Sequence, residues 1–135
     1  MAARSKARKR AVDVLYEADL RGSEALEVLR DRIAVGNPPV PDHTVRLVEG
    51  VVEQGGRIDE LIEAHASGWS LGRLPDVDRA ILRMAVYELL WVDDVPDAVV
   101  IDEAVELAKM LSTDDSPAYV NGVLGGIVQA EIPTL

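Results

Sequence analysis

From Asp76 to Val92 the chain reads DVDRAILRMAVYELLWV, its longest nearly unbroken apolar run. At helical spacing Val77, Ile81, Met84, Ala85 and Val92 share one face, flanked by Leu82 and Leu89. Arg79, Arg83, Val86 and Leu90 lie opposite. A helix that is apolar on most of its circumference is normally buried, so this segment is expected to form the axis of the fold. Asp76 is placed to cap it, and Asp78 in the first turn suits the positive end of the helix dipole. Glu88 breaks the apolar face, and a buried carboxylate needs a partner. The expected role is an ion pair or a helix-cap contact inside the core.

The same periodicity predicts helices along the whole chain. Ser5 to about Leu20 carries the stripe Ala11, Val12, Leu15 and Ala18. Its first two turns are basic on all sides, so this start is expected to project past the core or to order only on binding. Gly22-Ser23 ends that helix and caps a second, with Leu26, Leu29 and Ile33 in register. Asp42, after the loop from Gly36 to Pro41, caps a third pattern, Val45, Val48, Val52, Gly55, Ile58 and Ile62. This predicts one long helix to about His65, kinked at Gly55-Gly56. A break from Ser67 to Pro75 divides the chain into halves, 1–68 and 69–135, with Trp69 as a buried plug between them. After the central helix, Ile101, Ala104, Val105, Ala108 and Leu111 form the next buried stripe, with Asp102, Glu106 and Lys109 on the wet side. Ser116-Pro117 opens a last helix with Val120, Val123, Leu124 and Ile127 facing the core. Its opposite side, Ala118, Gly122, Gly125, Gly126 and Gln129, is thin enough for a close-packed neighbour: another helix, a second copy, or a nucleic-acid backbone. No segment alternates with period two. The fold class is therefore all-α, one domain over 1–135, with about six to seven helices in two packed three-helix bundles.

Charge changes this picture more than length does. The net charge is −10, yet residues 1–10 hold Arg4, Lys6, Arg8, Lys9 and Arg10 and no acid, leaving 9 basic and 24 acidic side chains elsewhere. An acidic body repels polyanions while a basic arm attracts them. A solvated tail explains the arm about as well as nucleic-acid binding does. Tyr16, at the edge of the apolar stripe and nearly in line with Lys9 and Ser5, could stack a base beside those cations. A half-buried tyrosine at the core edge is the plainer account.

Candidate chemistry is thin. There is no cysteine, hence no disulfide or thiolate metal site. No uncharged apolar run is long enough to span a membrane, and a cytosolic location follows. Glycine-rich phosphate loops are absent, His43 and His65 stand alone, and Asp93-Asp94 and Asp114-Asp115 read as helix caps rather than catalytic pairs. No enzyme, cofactor or metal site is expected.

Three motifs carry a resemblance: LRMAVYEL, VPDAVVIDEAVELAK and DSPAYVNGVL, joined by the basic start RSKARKRAVDVLYEADL. Together they resemble the NusB family of bacterial transcription antitermination factors over nearly the whole chain. Residues 21–68 match only in helical pattern. The resemblance implies a non-catalytic helical protein that binds the boxA RNA of ribosomal RNA leader transcripts with NusE, a small-subunit ribosomal protein. The complex acts on RNA polymerase in the elongation complex. It further implies that Arg4, Lys6, Arg8, Lys9 and Arg10 hold phosphates and that Tyr16 and Tyr119 contact bases or sugars. Asp115 and Ser116 would lie beside the RNA, Asp78 at the NusE-facing side, and Asn121 in a mainly structural Asn-Gly pair. Tyr119 stands where phenylalanine is common, and Pro117 with the glycine-rich back face is less typical. The chain reaches Leu135 without a basic tail. A NusB-like domain also occurs fused to RNA cytosine methyltransferases, a reading that would need a further domain. The rival is a protein-only module or homodimer with a masked RNA surface, built on a patch of Arg79, Arg83, Val86 and Leu90.

Overall fold

The computed structural model describes residues 2–66 and 70–131, apart from the side chain of Glu131. Seven α-helices and one 3-10 turn, Leu71–Arg73, follow in order, with no strand among the described residues. The helices are α1 (Ala3–Arg21), α2 (Ala25–Val35), α3 (Asp42–Glu53), α4 (Gly55–His65), α5 (Asp76–Trp91), α6 (Asp97–Leu111) and α7 (Ser116–Glu131). The Trp69 plug, with Ser67 and Gly68, lies outside the described residues.

Helix α5 is the axis, as its apolar circumference requires. It packs against α1, α3, α4, α6 and α7. Ala80, Ile81, Leu82, Ala85 and Val86 are all inaccessible to solvent. Helices α1, α2 and α3 pack on one another on one side, and α6 on α7 on the other. The chain thus has two helical groups that share a central helix. Helix α1 runs antiparallel to α5, since Arg8 meets Glu88 while Asp19 meets Arg79 and Arg83.

Several expected boundaries shift. The single helix over 42–65 is two, because Gln54 leaves helical geometry at φ −101° and ψ 16°. The inward face of α3 is Leu47, Val48 and Val51, while Val52 is exposed. In α2 the inward residues are Val28 and Leu29, and Ile33 points outward. Serine and aspartate caps were expected at Ser23, Asp42 and Asp76, but Glu24, Pro41 and Pro75 hold those positions without a side-chain cap. Pro41-Asp42, Pro75-Asp76 and Pro96-Asp97 open three helices alike. Proline supplies the extended backbone before the first turn, and the aspartate inside that turn meets the helix dipole. Gly22 and Gly36, at φ 64° and 63°, end α1 and α2 in the left-handed conformation that glycine adopts without penalty. Gly50 serves packing instead. A Cβ there would overlap the Tyr87 ring, which stacks on Trp91 at 5.7 Å between centroids.

The start of α1 does not project. Arg8 is 3% exposed, and its Nε and Nη2 donate to the Glu88 carboxylate at 2.7 and 2.9 Å. Its Nη1 donates to Glu103 at 3.2 Å, and Ser5 hydrogen-bonds the same Glu103 oxygen. His43 of α3 reaches the second Glu88 oxygen at 2.9 Å. Thr44 donates to the Ala7 carbonyl at 2.8 Å. The expected ion pair at Glu88 is present, and its partner is a residue assigned by resemblance to the RNA.

The proposed Arg79/Arg83/Val86/Leu90 patch is not a surface. Val86 is fully buried and Leu90 half-buried. Arg79 binds Asp19 and Asp76, and donates to the Leu71 and Leu74 carbonyls. Arg83 binds Asp59 and Asp19. Burial opposes the charge of Arg79, but Asp19 and Asp76 outweigh it and hold the pKa above its ordinary value. These arginines clasp α1 and α4 to α5, and with Val86 buried the four residues do not form the open apolar patch that was expected.

Removing one member of a buried charge pair leaves the other uncompensated, at a cost of about 3–5 kcal/mol. Arg8→Ala is therefore expected to destabilise the protein by about that amount in urea denaturation. A loss below about 1 kcal/mol would show that Glu88 does not depend on Arg8.

Candidate nucleic-acid and partner interface

The residues singled out from the sequence fall into two places. The first is the exposed side of α1. Arg4 is exposed and donates to Asp94 at 3.2 Å. That hydrogen bond holds the Asp94 carboxyl below its ordinary pKa. Asp94 is thus an arm contact, not the cap expected of Asp93-Asp94, and α6 follows Pro96 instead. Lys6 is exposed, Lys9 lies 3.3 Å from Asp13 one turn on, and Arg10 reaches the Pro39 carbonyl at 3.5 Å. Arg8 is withdrawn from this set. Its guanidinium donates to Glu88 and Glu103 inside the protein, so it has no face to offer a phosphate. Tyr16 is half-buried against the core and lines a groove with Arg10.

The second place is the start of α7. A hollow of about 270 Å³ is lined by Leu74, Pro75, Asp78, Asp115, Ser116 and Tyr119, among others. Asp78 forms its base. It is 3% exposed and accepts from Ser112 at 2.5 Å and Ser116 at 2.9 Å. Thr113 completes the cluster, its hydroxyl 2.8 Å from Ser116. Ser116 opens α7 as expected, but its buried hydroxyl is spent on Asp78. Asp78 and Ser116 are thus engaged with each other and barely exposed. They fix the loop that presents Asp115, which is exposed. Tyr119 is half-buried and donates to the Ala66 carbonyl at 3.1 Å. Burial, and then the Asp78 charge, push its phenol above the ordinary value of 10.0. On the thin side of α7, Gly122 and Gly125 have open space where a Cβ would be, and only Gly126 meets a neighbour, the His65 ring. Among the described residues nothing lies within 4 Å of that side at Gly122 and Gly125. Asn121 is exposed there.

These two places do not merge. The arm meets α5 at Glu88 and the hollow meets it at Asp78. Ten residues of helix separate those points, about 15 Å of rise. They are two separate places on the molecule rather than one pocket. Among the described residues no helix is long and apolar enough to cross a membrane, and no cluster of His, Asp or Glu could hold a metal ion.

The sequence did contain a signal for the burial of Arg8. Position 8 lies on the line of Ala11, Val12 and Leu15 at helical spacing, so it continues the apolar stripe. A cation on one buried stripe and a carboxylate, Glu88, on another imply each other. Glu103 and Asp94, which hold the rest of the arm in place, carry no comparable signal.

The structure thus displays a cationic edge on α1 and a hollow of mixed lining at the start of α7 with a buried carboxylate at its base. Comparison with known proteins makes the class specific. The NusB family matches residues 5–129, and this chain belongs to the NusB family. It is 65% identical over 129 residues to the transcription antitermination protein NusB of Saccharopolyspora erythraea, covering 94% of this chain and 87% of that one. The NusB of Acidothermus cellulolyticus is 59% identical over 127 residues, covering 94% and 88%. Among solved structures, T. maritima NusB superposes with a TM-score of 0.87 at 33% identity, over 98% of this chain and 94% of that one. NusB in a complex of the antitermination factors NusB and NusE with dsRNA superposes at 0.83 and 33% identity, over 94% and 96%. The chain is a transcription antitermination factor of this family.

The Tyr119 environment can be read directly. Because burial raises its pKa, any stability it contributes is present below the phenol's unfolded value and lost as pH rises through the folded value. Absorbance titration of the phenolates is expected to show a step above 10.0, the ordinary phenol value, that belongs to Tyr119. Tyr119→Phe should remove that step alone; if the late step survived, the assignment to Tyr119 would be wrong.

Proposed function

We propose that this antitermination factor binds the boxA RNA of ribosomal RNA leader transcripts together with NusE, and acts in the cytoplasm within the transcription elongation complex. It does so as a binding protein, without catalysis or a cofactor. The observation that carries this reading is the cationic edge of α1, with Arg4 and Lys6 exposed and Lys9 and Arg10 half-buried, on a chain whose net charge is −10. A polyanion meets favourable potential at that edge and repulsion over much of the remainder. The same fold in complex with NusE and RNA supports the choice of partners.

Within this reading the residues take distinct roles. Arg4, Lys6, Lys9 and Arg10 hold phosphates, and Tyr16 offers a ring to a base. At the second region Tyr119 and Asp115 border the RNA. Asp78 serves the partner side indirectly, by holding the loop between α6 and α7 through Ser112 and Ser116. Arg8 has no contact with RNA and sets the position of the residues that do.

Single-strand binding weakens with salt, with a slope of about −0.7 per phosphate neutralised. The combined variant Lys6→Ala, Lys9→Ala and Arg10→Ala is expected to weaken boxA binding and flatten that slope by about 2, measured by fluorescence anisotropy with and without NusE. Unchanged affinity and slope would remove the arm from the RNA site and favour a protein-only module.

A further inference from the structure

Between α1 and α2 runs a groove of about 420 Å³ that the proposed RNA site uses only at its edge. Arg10, Tyr16, Leu20, Arg21 and Arg32 line it. Two arginines from different helices converge on one carboxylate there. Arg21 of α1 donates to Glu17 Oε2 at 2.9 Å, and Arg32 of α2 donates to Glu17 Oε1. Each guanidinium gives one N–H to a different Glu17 oxygen, and a phosphate, an anion with several acceptor oxygens, can take one charge-assisted bond from each in the same way. Each guanidinium has five donors, and the side chains of Arg21 and Arg32 are 59% and 40% exposed. Glu17 does not exhaust them. The local charge favours an anion as well. Three arginines face two carboxylates, Asp13 and Glu17, and Lys9 already neutralises Asp13. The Tyr16 ring and the exposed Leu20 supply an apolar wall beside the cations.

We propose that this groove is a second contact for single-stranded RNA, in which Arg21 and Arg32 take a phosphate in exchange for Glu17 while the adjoining base lies against Tyr16. The inference rests on the RNA reading above and extends the RNA path from the arm onto α2. Glu17 acts as an internal competitor. It holds the two guanidiniums in position when no RNA is present, and it lowers affinity because the incoming phosphate must displace it.

The exchange gives two variants opposite signs. The full chain is titrated with a boxA-containing oligoribonucleotide extended at both ends, in the presence of NusE, over a range of salt. Arg21→Ala with Arg32→Ala should weaken binding several-fold and flatten the salt slope by about 0.7, one phosphate. Glu17→Gln breaks the same two ion pairs yet should tighten binding, which damage to the fold would not do. Arg4→Ala with Lys6→Ala, neither of which lines the groove, serves as the arm control. If the control weakens binding while the arginine pair changes neither affinity nor slope, the groove is overturned and the arm stands. If neither pair of substitutions has an effect, both readings fall. Weaker binding by Glu17→Gln would also overturn the exchange.

Discussion

Arg8 and Glu88 are the contact on which the arrangement depends. Both charges are out of water, so each is tolerable only while the other is present. Their geometry is a bidentate fork of 2.7 and 2.9 Å, which fixes distance and angle together. The remaining valences are taken up by Glu103 of α6 and His43 of α3. One ion pair therefore specifies how four helices meet. A buried pair of this kind adds little net stability compared with apolar residues of the same shape. What it supplies here is register: α1 can slide along α5 only by stranding a charge. Asp19, shared between Arg79 and Arg83 at the far end of the same two helices, repeats the constraint nearer the surface.

That register determines what the basic arm can do. Five cations in the first ten residues divide into one spent inward and four displayed. Because Arg8 and Ser5 tie the first turns to Glu103, the displayed cations come from an ordered helix. An ordered helix surrenders less conformational entropy on binding than a tail that folds at that moment. The number of cations is nevertheless small, and the surrounding surface is acidic. Few phosphates can be neutralised, so electrostatic affinity for RNA alone is limited. A partner protein that adds contact area is the physical remedy, which gives the proposed partnership with NusE a basis in charge.

Periodicity made the helices legible, because burial of one face repeats every 3.6 residues whatever the neighbour is. The central role of Asp76–Val92 followed from its apolar circumference, and α7 has the expected inward face of Val120, Val123, Leu124 and Ile127. The failures share a cause. Whether Arg79 and Arg83 form a patch or a clasp depends on Asp19 and Asp59, which are remote in sequence. Asp78 looked like a free first-turn carboxylate because Ser112 and Ser116 lie more than thirty residues away. Three helix caps were misplaced by one residue: Pro41 and Pro75 hold the positions expected of Asp42 and Asp76, and Glu24 that expected of Ser23. The break at Gln54 was assigned to its glycine neighbours, which lie inside α4. Local propensity locates an element, and only the tertiary partner assigns a charge its role.

The separation of the two contact regions bears on the form of the ligand. The arm and the α7 hollow lie about 15 Å apart along α5, too far for one phosphate or one base to touch both. Neither region is an enclosed pocket that would select a small molecule by shape. The first offers cations around a ring, and the second offers Tyr119 beside a loop whose own hydroxyls are already engaged by Asp78. A compact anion would occupy one and ignore the other. An extended polyanion can engage both, and it gains from each without a conformational change in α5, whose interior face is closed on all sides. On the proposed reading, the rigidity set by Arg8 and Glu88 favours recognition of a strand along its length, with contacts divided between α1 and the start of α7.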